Sequence, residues 1–83
     1  MFVYGSNFIE ALEQDFAESY GRIKEKALGL EYTMDEMLRI IALHLRFTTD
    51  PMVDIDAFVA DGYRLGIKEI ILTLKEIFDV KDD

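Results

Sequence analysis

His44 is the chain's only imidazole, and it stands in the middle of the most apolar stretch, Ile40 to Phe47. A histidine base needs a group that orients it and a substrate that it can reach. Nothing near it in sequence supplies either. A tetrahedral metal site needs three or four ligands, and the nearest carboxylates on its helix, Asp35 and Glu36, lie too far back to join it locally. His44 therefore reads as a core or interface histidine. Ser6 and Ser19 are the only serines, neither sits in a nucleophile motif, and no phosphate-binding glycine loop occurs. The absence of cysteine excludes disulfides, thiolate metal sites and a cysteine nucleophile, and leaves the redox compartment open. No catalytic residue is assigned, and the chain is expected not to be an enzyme.

Asp50, Asp54, Asp56 and Asp61 form the densest group of oxygen donors. Their spacing fails the calcium-loop pattern, because the position that requires glycine is Ile55 counted from Asp50 and Val59 counted from Asp54. Helix capping and first-turn charge account for Asp50, Asp54 and Asp56 without an ion. No metal and no cofactor is expected.

Three helical segments must position these groups. The first is expected over residues 7–28, capped by Ser6 or Asn7. Ile9, Leu12, Phe16, Tyr20, Ile23 and Ala27 recur every three or four residues along one stripe. Acidic residues fill its first half and Arg22, Lys24 and Lys26 its second, an order that suits the helix dipole. Glu18 and Arg22 form a favourable pair four residues apart. Gly29 is expected to stop the helix in a left-handed conformation, and Gly21 weakens its middle or allows a close helix contact.

The second helix, Met34 to about Phe47, has the clearest start. Thr33 and Glu36 make a capping box, with Tyr32 and Met37 at the positions of a hydrophobic staple. Its apolar residues point nearly all round, so it should be central, with Leu38, Ile41 and Leu45 in the core. Thr48-Thr49-Asp50-Pro51 ends it. The third helical region begins at Pro51 or with Asp54 as cap, and its helical phase persists to Phe78. A continuous, kinked helix is the expectation there. Asp61-Gly62 and Gly66 offer the alternative of a split, or of a close backbone approach at the two glycines. Met34, Met37 and Met52 are expected to pack in the core.

The fold expected is therefore all-α: a small antiparallel bundle of three helices, four if the last one splits near Gly62, in a single domain spanning 1–83. The second helix is shorter than its neighbours and cannot cover both of their apolar stripes.

The chain's 83 residues are 51% hydrophobic, carry 17 carboxylates against nine Lys and Arg, and have a net charge of −8. That charge disfavours direct nucleic-acid binding and anionic lipid, and suits solubility or a basic protein partner. No apolar run is long enough to span a bilayer and the N-terminus lacks signal-peptide features, so a cytoplasmic location is expected. A small domain with this apolar content leaves patches for a partner to cover. The leading expectation is a non-enzymatic protein-interaction or regulatory protein, homodimeric, of the kind common among bacterial and phage accessory proteins. The interface anchors expected are Phe2, Tyr4, Phe16, Tyr20, Ile70, Leu74 and Phe78, with Phe2-Val3-Tyr4 docking on its own or a neighbouring subunit. One alternative is an acidic DNA mimic that inhibits a nucleic-acid-binding protein. Another is a ligand- or metal-binding module assembled across an oligomer.

Overall fold

A computed structural model describes residues 4–78. Among them the chain forms five helices and no strand: α1 Tyr4–Phe16, α2 Tyr20–Leu28, α3 Met34–Thr48, α4 Ile55–Gly62 and α5 Ile67–Ile77. The Cα radius of gyration is 12.2 Å, close to the roughly 12 Å of a compact chain of this length. No helix among the described residues is long and apolar enough to cross a membrane.

α3 is the organising element, touching α1, α4 and α5, while α2 packs on α1 and α5. Its start is the capping box. Glu36 N–H donates to Thr33 Oγ1 at 3.2 Å, and Thr33 N–H donates to Glu36 Oε1 at 2.8 Å. Two of the amides that a helix start leaves without partners are thereby satisfied. Tyr32 and Met37, the staple pair, are both buried. Leu38, Ile40 and Ala42 are wholly sealed from solvent, and Met37, Ile41 and Leu43 nearly so. Leu45 is only half-buried, so one of the three core positions expected on this helix lies at its margin. At 15 residues α3 is the longest described helix, which reverses the expected order of lengths.

The first long helix is two. α1 already includes residues 6 and 7, so neither Ser6 nor Asn7 caps it. The chain breaks after Phe16, where Ala17 takes a left-handed φ of 56°. Glu13, not a neighbouring serine or threonine, caps the next helix: its carboxylate accepts from Tyr20 N–H at 2.7 Å. Glu18 lies in the break, not on a helix face. It bonds Lys26 at 3.0 Å and the Tyr32 hydroxyl at 2.6 Å instead of forming the expected pair with Arg22. The Tyr32 bond, then Lys26, hold its carboxyl below the usual value. Phe8 and Leu12 are buried on α1, with Ile9 only half-buried, and Ile23 and Ala27 are buried on α2.

α2 ends in a Schellman motif. Leu30 N–H donates to Ala27 O at 3.1 Å and Glu31 N–H to Lys26 O at 2.9 Å. The left-handed residue is Leu30, with φ 59°, while Gly29, one position earlier, has φ −87°. The stop is where glycine was expected to place it, but the strained residue is its neighbour.

The third helical region splits into α4 and α5 in place of the continuous helix expected. Asp54 caps α4 through Ala57 N–H at 3.2 Å, and Pro51 stays in the preceding turn. A Cβ on Gly62 would stand 2.7 Å from Leu38 Cδ2, so this glycine is where α4 closes on α3. Gly66 meets nothing and caps α5 in an extended conformation. The two glycines thus divide the roles of close approach and turn. Tyr63 donates to Asp35, tying this turn to the start of α3. α5 buries Ile70 and Leu74, followed by buried Phe78, beneath α2 and α3.

Candidate functional site

His44 packs edge-on against Phe8, with ring centroids 5.1 Å apart and planes at 81°. Burial pushes its pKa below 6.5, favouring the neutral ring. It makes no side-chain hydrogen bond to a described residue, so none of them orients it as a base. Each aspartate of the Asp50–Asp61 group has a local use. Asp50 accepts from Met52 N–H at 3.0 Å, Asp54 caps α4, Asp56 sits in the first turn of α4, and Asp61 faces Arg64 at 3.6 Å. Among the described residues no three His, Asp or Glu converge as metal ligands do.

The expected interface anchors divide three ways. Phe2 lies outside the described residues, and Tyr4 is the first residue of α1. Phe16 and Tyr20 are half-buried, their rings against Tyr32 and Phe78 at 5.1 and 5.7 Å. Ile70, Leu74 and Phe78 are inside the chain's own core. Those three turn inward because α5 lies on α2 and α3, a packing that a separate α2 makes possible. Met52, expected in the core, is 85% exposed beyond the end of α3.

The large apolar side chains that do reach solvent sit elsewhere, mainly around the α4–α5 turn and on α5: Tyr63, Leu65, Ile67 and Leu72. Leu72 is 60% exposed on the side of α5 opposite Ile70 and Leu74. At about 100° per residue, Lys68 and Lys75 flank it on one side and Glu69 and Glu76 on the other. All four are exposed, and none forms an ion pair with a described residue. The outer face of α5 is therefore a leucine between a basic edge and an acidic edge.

A second feature lies along the seam of α1 and α3. A shallow cleft of about 360 Å³ is lined by apolar Ala11, Leu43 and Ile55 and by polar Gln14, Asp15, Arg39 and Arg46. Arg39 grips Asp15 with two bonds, Nε to Oδ2 at 3.0 Å and Nη2 to Oδ1 at 2.7 Å. Arg46 donates from Nη2 to Val53 O at 2.9 Å, and its Nε is sealed from solvent without a partner. In the sequence these two arginines are visible only as interruptions of the apolar α3. Their spacing of seven was the available signal that they share a face. No protein-family model matches the chain, and no curated protein or solved structure matches it.

Proposed function

We propose that this chain is a non-enzymatic protein-interaction protein that self-associates as a homodimer through the outer face of α5. The observation that carries the reading is Leu72, 60% exposed between one edge of lysines and one of glutamates. Such a face is complementary to a copy of itself. Two copies packed with their α5 helices parallel, about a two-fold axis running along them, set each basic edge against the partner's acidic edge. An antiparallel pair would set like against like. The leucines meet at the centre, where burying such a side chain fully is worth roughly 1.5–3 kcal/mol. The edges contribute orientation and partner choice more than affinity. The net charge of −8 on each chain opposes association, so the locally balanced α5 face is where that repulsion is least felt.

Sedimentation equilibrium over a concentration series tests this. The wild type is expected to associate reversibly, and Leu72→Glu, which faces a carboxylate with its own copy, to be monomeric over the same range. A wild type that stays monomeric throughout, or a Leu72→Glu variant that associates equally well, overturns the reading.

A further inference from the structure

We propose that the cleft between α1, α3 and the start of α4 binds a small oxyanion, a carboxylate or phosphate carrying an apolar body, through Arg46 and Arg39. The inference does not depend on the pairing of α5. The chain has 17 carboxylates and only nine Lys and Arg, yet the half-buried Arg46 guanidinium has no carboxylate within ion-pair reach among the described residues. Its one protein acceptor is a neutral carbonyl, and its Nε bonds to nothing. A partly buried cation left in that state lacks part of the hydrogen bonding that water would give it.

Arg39 stands two turns earlier on α3 and lines the same cleft. Asp15 occupies its Nε and Nη2, which leaves Nη1 without a described partner. Arg46 Nη2 is on Val53 O and its Nε is sealed from solvent, so each guanidinium offers the cleft its Nη1 end, whose bonds to an oxyanion are charge-assisted. Beside them, Ala11, Leu43 and Ile55 offer apolar contact and Gln14 adds an amide, while the Asp15 carboxylate that also lines the cleft is neutralised by Arg39. Three apolar and four polar side chains thus line the cleft, and about 360 Å³ is at the small end of the range of small-molecule sites. The fitting ligand has one charged head and an apolar part about the size of a single ring.

The probes are benzoate and phenyl phosphate, with inorganic phosphate as the head group alone. Each is titrated into the full chain while the Arg46 and Arg39 Nε–H resonances are followed by NMR. Saturable shifts are expected with phenyl phosphate or benzoate below about 10 mM, and weaker ones with inorganic phosphate. Whichever ring compound binds more tightly assigns the head group. Arg46→Gln should weaken binding about tenfold, which is about 1.4 kcal/mol. Arg46 also holds Val53, so Arg39→Gln is the second variant and should weaken binding in the same sense. Arg64→Gln, on the exposed turn after α4, should leave it unchanged. Failure of both ring compounds to give a saturable shift, or binding as tight as the wild type's in both Arg46→Gln and Arg39→Gln, overturns the proposal.

Discussion

Replacing Gly62 by alanine sets a helix-propensity gain against a steric penalty, and the structure decides the sign. The added Cβ would lie 2.7 Å from Leu38 Cδ2, 3.1 Å from Cδ1 and 3.3 Å from Cγ. Leu38 is fully buried among α3's neighbours, so its side chain has no free volume into which to swing. Forcing a methyl into such a site typically costs about 1–3 kcal/mol. The opposing gain is smaller than the roughly 1 kcal/mol of a mid-helix Gly→Ala change, because Gly62 is the last residue of α4. The net expectation is destabilisation by about 1–2 kcal/mol. Gly21→Ala is the internal control. It lies inside α2, where an added methyl would meet nothing within 4 Å, and should gain about 0.5–1 kcal/mol. Urea unfolding followed by helical circular dichroism reads both, at a slope of about 1 kcal/mol/M for a chain this small. The two midpoints should move in opposite directions at unchanged slope. If Gly62→Ala is as stable as Gly21→Ala, α4 does not close on Leu38 and the reasoning fails.

Three further outcomes follow from particular contacts. Thr33→Ala should destabilise by about 0.5–2 kcal/mol, since Glu36 N–H loses its acceptor; an unmoved urea midpoint would contradict it. Leu30→Gly should stabilise by about 0.5–1 kcal/mol, because the left-handed position no longer carries a branched side chain; a loss of stability would show that the exposed Leu30 side chain packs usefully. His44 should titrate below 6.5 in its single imidazole NMR signal. Because its folded pKa is depressed, the stability it contributes is complete above pH 6.5 and is lost as pH falls through the folded value. His44→Gln should remove that part of the pH dependence, and a pKa at or above 6.5 would contradict the burial.

Local chemistry in the sequence marked two helix starts and the centre of the core. Thr33 and Glu36 announce α3 by their own spacing, and Asp54 announces α4. The all-helical class and the burial of Leu38 and Ile41 follow from periodicity. The helix count did not follow, for two physical reasons. The α1–α2 break falls at Ala17, a residue with no turn propensity, and is held by Glu13 reaching seven residues forward to Tyr20 N–H. The α4–α5 break keeps its apolar residues in helical phase, so the pattern runs through it undisturbed. The inward turn of Ile70, Leu74 and Phe78 depends on α2 being a separate helix, which no local pattern reveals. The arginine cleft is equally non-local: Asp15 and Arg39 meet across 24 residues, and Ile55 comes from a third helix.

Self-association through the two charged edges of α5 is tested most directly by mixing two variants. Lys68→Glu with Lys75→Glu makes both edges acidic, and Glu69→Lys with Glu76→Lys makes both basic. Each variant alone should be monomeric in sedimentation equilibrium, the second despite its lower net negative charge, because like edges then face each other. An equimolar mixture should associate at least as tightly as the wild type, since every acidic edge then meets a basic one. If the basic-edged variant associates alone as well as the wild type does, or if the mixture stays monomeric, the α5 face is not the surface through which this protein acts.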